Sequence, residues 1–461
     1  MARLVIVSNR VPSPARGSKA GGLAVALKDA IEPGTFWLGW SGQTARESST
    51  QAKVVHHEGV DYATIDLSHD AYNKFYVGFA NGTLWPLLHF RPGLMEFRRE
   101  HLKGYREANQ IFAGVLDKLI RPDDLIWVHD YHLIPMASAM RRLGINNRIG
   151  FFLHIPFVPS SLFAALPHGA ELLNDFCAYD VVGFQTAEHR DDFLDCVRRI
   201  LNFRVDQGTV TPGDRRAVRC IVDPIGIDWR SFQKQAIQSA ASRNARRLKA
   251  SLGTRKLMVG ADRLDYSKGI PHRFEAFHRL LQRFPEHKSN VNFLQIAAPS
   301  REDVKEYAAL RHVLDRMAGD INGRHGAFDW VPLRYMSQGL ARTTLSGFFR
   351  LAQIGVVTPL RDGMNLVAHE YVAAQDPEDP GALILSCFAG VASYFADALI
   401  VNPFDPDDIA EAMHQALVMP LEERKARYVN LFEQLKTLSA EAYCTHFLGA
   451  LTAAASAKVA A

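Results

Sequence analysis

The chain is 461 residues long, with 48% hydrophobic and 22% charged residues and a formal net charge of +4. That length exceeds one ordinary core and points to two domains of about 200 residues, with a composition usual for a globular enzyme. The small positive balance, without a long basic run or basic-aromatic stripe, excludes nucleic acid as an expected partner, and no stretch approaches the ~18 apolar residues of a membrane span.

The five cysteines, Cys177, Cys196, Cys220, Cys387 and Cys444, are odd in number and lack CxxC spacing. They argue against a disulfide framework or a zinc site and fit a reducing, cytoplasmic setting. The first apolar run is too short for a signal-peptide core. His56-His57 has no obvious partner, so no metal is expected.

Short apolar runs alternate with longer amphipathic ones. Strands are predicted over 4–8, 125–129, 149–154, 181–184 and 220–222, then over 257–260, 293–296, 354–357, 383–385 and 399–401. Helical patterns cover 23–31, 133–143, 189–201, 272–283, 366–375 and 409–418. Continuous apolar strands alternating with helices predict parallel sheets covered on both faces. The pattern runs down and restarts near residues 223–230, where Pro224 and Gly226 punctuate the chain. The expected class is therefore α/β, with two doubly wound, Rossmann-like domains facing across a cleft. They span 1–228 and 229–440; residues 441–461 form a C-terminal helix and tail that pack back on the first domain, and the Ala-rich end is expected to fray.

In such sheets ligands bind outside the carboxyl ends of the strands, and the polar clusters fall there. Arg10 ends the first strand, as an anion ligand or a surface arginine. Gly21 and Gly22 open the helix at Leu23, where bare backbone can approach a phosphate or simply turn. Tyr76 and Trp85 could meet a sugar phosphate or belong to the core. Asp130 follows the strand 125–129, either to accept from a sugar hydroxyl and act as a base or to cap the next helix. His154 ends a very apolar strand. It is a core histidine or, if the two strands are neighbours, shares a rim with Asp130.

In the second half, Arg263 and Lys268 follow the strand 257–260 and precede Gly269 and a helix; two cations there suit a diphosphate. Arg301, past the strand 293–296, is a further cation. Residues 359–370 read Pro-Leu-Arg-Asp-Gly-Met-Asn-Leu-Val-Ala-His-Glu, a strand end, a polar turn and a helix start. The turn holds Arg361, Asp362, Gly363 and Asn365. A helix N-terminus suits an anion, Asp362 can grip sugar hydroxyls, and Glu370 can accept from a ribose diol. The combination points to a sugar nucleotide; an ordinary loop with a capping Asp is the plainer alternative. No HExxH, Walker A or GxSxG motif is present.

Ser8-Asn-Arg10, Ala20-Gly-Gly-Leu23, Leu84-Trp-Pro86, His129-Asp-Tyr-His-Leu133, Phe151-Phe-Leu-His-Ile-Pro156, Arg263-Leu-Asp-Tyr-Ser-Lys-Gly269, Pro359 to Val367 and Glu370-Tyr-Val-Ala-Ala-Gln375 occur in that order. The set resembles the bacterial-type trehalose-6-phosphate synthases, retaining glycosyltransferases of the GT-B fold, over nearly the whole chain. The resemblance implies transfer of glucose from UDP-glucose, a co-substrate, to glucose 6-phosphate, giving α,α-trehalose 6-phosphate and UDP. It implies no cofactor and no metal.

By the same resemblance, Gly22, Leu23, Arg263, Lys268, Leu366, Val367 and Glu370 would hold the nucleotide diphosphate and ribose, and Leu340 the base. His154 and Asp362, with Gly363, Met364 and Asn365 of the same turn, would hold the donor glucose. Arg10, Tyr76, Trp85, Asp130 and Arg301 would hold glucose 6-phosphate. Asp130, His154, Arg263, Lys268 and Asp362 would be the catalytic set. Tyr394, Cys387, His369 and Leu340 depart from the family pattern on the nucleotide side, which bears on base preference. The rivals are a synthase using glycerol 3-phosphate or GDP- or ADP-glucose, a non-catalytic sugar-phosphate sensor, and an epimerase of the same fold. Partners beyond small molecules are not implied, except a homo-oligomer, dimer or tetramer, which the sequence leaves open.

Overall fold

The computed structural model describes residues 2–11, 27, 32–213, 215–300 and 305–454. The chain divides into two compact units, Met1–Ile225 with Glu441–Ala461, and Gly226–Ala440.

The first unit is built on a ten-stranded sheet of β1 (Leu4–Arg10), β2 (Phe36–Ala45), β3 (Lys53–His57), β4 (Val60–Ser68), β5 (Leu125–His129), β6 (Ile149–Leu153), β7 (Val181–Phe184), β8 (Arg204–Asp206), β9 (Thr209–Thr211) and β10 (Val218–Val222). Their order is β3-β4-β2-β1-β5-β6-β7-β10-β9-β8. From β4 to β10 the neighbours are parallel. β6 and β7 are buried at every residue, as strands covered on both faces must be. The edges are antiparallel hairpins. Gln207 and Gly208 both take positive φ, the mirror-image turn that matches strand twist. His56 sits on the edge strand β3 with its Nδ1 2.8 Å from Asp61 Oδ1, which gives it an ordinary surface partner.

Helix Ala440–Ala453 supplies the last cover of this sheet: Phe447 stacks on Trp127 with ring centroids 4.4 Å apart. Chain order departs in opposite directions from β1, towards β2 and towards β5. That switch point opens a crevice at the carboxyl ends of the two strands.

The second unit has six parallel strands in the order β13-β12-β11-β14-β15-β16. These are β11 (Lys256–Arg263), β12 (Val291–Ala298), β13 (Leu333–Met336), β14 (Ile354–Val357), β15 (Ala382–Ser386) and β16 (Leu399–Val401). Helix Ile270–Arg283 lays Phe274, Phe277, Leu280 and Leu281 against Phe293 and Ile384 in the core. Here the switch point lies between β11 and β14.

Some boundaries differ from the sequence expectation. β6 stops at Leu153, leaving His154 in the loop. The helix expected over 133–143 begins as a 3-10 turn, Tyr131–Leu133, and becomes α-helical only at Met136–Arg142. Pro135 has no N–H to give and a fixed φ, so it starts that helix and cannot lie inside it. The helix expected over 23–31 lies outside the described residues apart from Leu27. No described helix is long and apolar enough to cross a membrane.

Candidate active site

In the first unit the rim is set by register. Ser8 of β1 pairs with His129 of β5, and His129 with Phe152 of β6, so Arg10, Asp130 and His154 leave the sheet at one edge. Asp130 holds φ at 75° and ψ at 164°, a conformation that costs a non-glycine residue about 1–3 kcal/mol. Two hydrogen bonds enforce it. Its N–H donates to the Phe152 carbonyl at 2.8 Å, and its Oδ1 accepts from the His154 N–H at 3.2 Å. Its side chain does not cap the following turn; the carboxylate instead ties the two strand ends together.

His154 is fixed at both ring nitrogens. Gln185 Oε1 accepts from the Ile225 N–H at 2.9 Å, which points its amide nitrogen at His154 Nδ1, 3.4 Å away. Nδ1 is then the acceptor, and Nε2–H donates to His129 Nδ1 at 3.0 Å. Burial pushes the His154 imidazole down to about 3 and holds His129 neutral as well. His154 is therefore a neutral dipole at physiological pH. Contact with a donor sugar requires it to exchange one of these partners.

Tyr76 and Trp85 come from one continuous helical stretch, Asn73–Leu84 and Trp85–Leu88. Its first part is wound as a π-helix, a rare form concentrated at functional sites. Tyr76 lies against His132 with rings 9° from parallel, and against Trp40. Arg10 stands over the same Trp40 ring, 4.6 Å from its centroid. Trp85 is buried against His89 and Tyr131, and Tyr131 donates its hydroxyl to Asn81 Oδ1 at 2.8 Å. The aromatic chain thus joins Arg10, Tyr76, the Asp130 loop and Trp85 into one wall.

In the second unit, β11 ends at exposed Arg263, and the loop continues to a 3-10 turn, Tyr266–Lys268. Asp265 accepts from the Ser267 N–H at 3.0 Å and from the Tyr307 hydroxyl at 3.0 Å. Gly269 takes φ 66°, and a Cβ there would lie 2.5 Å from the Thr358 carbonyl oxygen, so only glycine lets the loops after β11 and β14 meet. Lys268 Nζ then reaches Asp362 Oδ2 at 2.5 Å. The same oxygen accepts from the Asn365 amide at 2.9 Å. Asp362 also bridges to Ala389 across a backbone pair, and a Cβ on Gly390 would lie 1.9 Å from the Gly363 carbonyl oxygen.

Helix Leu366–Ala374 starts at Asn365, which is left-handed at φ 79° and gives its own helix no side-chain cap. Its amide goes to Asp362 instead, so the first-turn N–H groups around Leu366 and Val367 remain to be met by an anion. Met364 and Gly363 are buried beneath the turn. Glu370, one turn on, lies 3.2 Å from Arg342 Nε; burial raises its carboxyl and the guanidinium opposes that rise. Leu340 is half-buried between β13 and helix Arg342–Leu351, and Tyr394 is half-buried. Buried His369 packs on Phe395 and is pushed down to about 4. Cys387 is exposed. Gly22, Leu23 and Arg301 lie outside the described residues.

Three positions had not been singled out from the sequence. Arg273 is wholly buried. Its Nε donates to Thr358 Oγ1 (3.1 Å), one terminal nitrogen to Asp262 Oδ2 (2.7 Å) and Gln295 Oε1 (2.8 Å), and the other to the Lys268 carbonyl (3.3 Å). It clamps the ends of β11, β12 and β14 beneath the Lys268 loop. The signal available was an arginine on the apolar stripe of helix Ile270–Arg283, beside Phe274 and Phe277. Gln185 and His129, which set the tautomer of His154, gave no comparable signal beyond lying at strand ends.

Two doubly wound sheets, each with polar loops at its switch point, and a lysine–aspartate pair at an uncapped helix start fit a nucleotide-sugar transferase. The chain belongs to glycosyltransferase family 20, whose model matches residues 5–453. It is 44% identical to a trehalose-6-phosphate synthase of Sinorhizobium fredii, over 98% of this chain and 99% of that one. It is 46% identical to one of Cronobacter sakazakii, over 94% and 91%. A UDP-forming α,α-trehalose-phosphate synthase of Burkholderia xenovorans, solved in complex with glucose-6-phosphate, superposes with a TM-score of 0.95 at 45% identity, over 98% of this chain and all of that one. An E. coli structure bound with UDP-2-fluoro glucose superposes at 0.91 with 43% identity, over 98% and 99%. The architecture is GT-B.

Proposed function

We propose that this chain is a UDP-forming α,α-trehalose-phosphate synthase that moves glucose from UDP-glucose to glucose 6-phosphate with retention of configuration. The observation that carries the residue-level reading is Lys268, in the loop after β11, locked to Asp362 at the start of helix Leu366–Ala374. The names and ligands of the relatives support the substrates.

In this reading the diphosphate lies against Arg263, Lys268 and the N–H groups at Leu366 and Val367, and Glu370 accepts from the ribose. Asp362 receives the donor glucose, and Leu340 the base. Arg10 and Tyr76 take the acceptor phosphate, and Trp85 and Asp130 its sugar. The bond from donor C1 to the β-phosphate oxygen breaks as positive charge develops at C1. The acceptor's anomeric oxygen forms the new bond on the same face, and its proton passes to the departing phosphate oxygen. Fixed cations and N–H groups stabilise that departure without a metal.

A retaining hydrolase needs a carboxylate against the anomeric carbon. Asp362 already accepts from Lys268 and Asn365, so it serves better as an oriented acceptor than as a nucleophile. Neutral His154 contributes a dipole rather than a charge. Unpaired cysteines favour a cytoplasmic setting. Proton NMR of the product tests the reading: two α-anomeric protons in a 1,1-linked disaccharide phosphate support it, and a β-anomer or another linkage overturns it.

A further inference from the structure

At the amino ends of the second unit's strands, away from the loops just described, three metal-binding side chains converge. Glu286 and His287 lie on the 3-10 turn Pro285–His287, four residues before β12 begins; His414 lies on helix Pro406–Val418. His287 Nε2 and His414 Nδ1 are 2.9 Å apart. Glu286 Oε1 is 3.8 Å from His414 Nδ1, and one donor atom from each residue lies within 4.8 Å of the others.

We infer that Glu286, His287 and His414 form a binding site for a divalent transition-metal ion, zinc foremost. Two imidazoles and a carboxylate are a known donor set for zinc, with water as a fourth ligand. Ligands about 2.0–2.1 Å from a tetrahedral ion stand roughly 3.3 Å from one another. The histidine nitrogens must therefore part by a few tenths of an ångström, and the carboxylate must close by about half an ångström on His414 and by up to about 1.5 Å on His287. The surroundings allow that: Glu286 is exposed and free to change rotamer, while His287 is buried. The His414 ring is held face to face on Phe284, with centroids 3.9 Å apart and planes 8° from parallel. The turn is pinned by the Asn290 amide, which donates to the Glu286 carbonyl at 2.8 Å.

A hydrogen-bonded histidine pair is the competing reading, and the same unit supplies a comparison. His325 Nε2 and His278 Nδ1 are 2.8 Å apart, yet no third donor joins them; among the described residues, only the Glu286 group brings three together. The carboxylate separates the two cases. It also offsets the ammonium of Lys256, which acts on His287 from the start of β11.

Zinc titration of the chelator-stripped full-length protein by calorimetry tests the site. One ion per chain is expected. His414→Ala and Glu286→Gln should each weaken binding by at least about tenfold, the cost of losing even an outer-shell partner of a metal ligand, and His278→Ala should leave it unchanged. Cobalt absorption in the visible should report tetrahedral coordination in the wild type and lose it in Glu286→Gln, an exposed change that cannot compromise folding. Absent saturable binding, or equal affinity in either ligand variant and the wild type, would overturn the site. Turnover should be the same with and without zinc, because these residues sit at the opposite ends of the strands from Arg263.

Discussion

Lys268 Nζ lies 2.5 Å from Asp362 Oδ2, joining the loop after β11 to the loop after β14. Both side chains are largely buried, at 13% and 15% exposure, and Asp362 keeps a second partner in the Asn365 amide. Lys268→Ala should lower kcat by about 10²–10³-fold, while the unfolding free energy falls by less than the about 3–5 kcal/mol of a fully broken buried pair. Asp362→Asn should show the same split. Steady-state kinetics beside urea unfolding check both, and near-normal turnover in soluble Lys268→Ala would remove its role.

Arg273 should behave in the opposite way. Removing it strands Asp262 and three further acceptors in a dry core. Breaking a buried pair of this kind costs about 3–5 kcal/mol. Arg273→Ala should be strongly destabilised in urea. Arg273→Lys should keep the charge yet lose kcat, because a single ammonium cannot hold Asp262, Thr358 and the Lys268 carbonyl at once.

Asp130 combines strain with chemistry. Asp130→Gly removes the positive-φ cost but also the carboxylate that accepts from the His154 N–H. Stability should change by less than about 1 kcal/mol, whereas kcat/KM for glucose 6-phosphate should fall by about 10²-fold or more. A variant that loses stability and keeps activity would contradict both halves.

Acid should destabilise the fold through its buried histidines. His129, His154 and His369 are all held below their ordinary value by burial, His154 at about 3 and His369 at about 4. A depressed folded value means that the unfolded chain binds the proton first. Their contribution is therefore complete above about pH 6.5 and is lost as pH falls towards 4 and 3. Asp223, which burial pushes up to about 6, works in the other direction: its contribution is present below about pH 4 and lost as pH rises through 6. His369→Leu should flatten the acid limb of stability against pH, by up to roughly 3 kcal/mol at pH 4. Asp223→Asn should gain stability at pH 7.5 relative to pH 4. Melting temperatures across pH 4–8 measure both.

Five of the second unit's six strands were legible because each is a continuous apolar run between turn residues, and 354–357 and 399–401 coincide with β14 and β16; β13 escaped because Arg334 interrupts its Leu-Arg-Tyr-Met run. In the first unit β2, β3, β4, β8 and β9 escaped. Phe-Trp-Leu-Gly-Trp-Ser-Gly breaks its apolar run with glycines and a serine, and β4 alternates burial, so neither reads as a doubly covered strand. The polar loops of the candidate site were legible because charge at a strand end is unusual. The supports of those loops were not. Arg273 stands out only as an arginine on an apolar stripe, which does not name its partners, and the tautomer of His154 depends on Gln185, which is 31 positions away.

The most direct measurement of the central claim is UDP release from UDP-glucose in the presence of EDTA, with and without glucose 6-phosphate. Release that requires glucose 6-phosphate and is indifferent to EDTA is the predicted result. Release that is independent of the acceptor, or abolished by the chelator, would contradict metal-free glucosyl transfer through Arg263, Lys268 and the start of helix Leu366–Ala374.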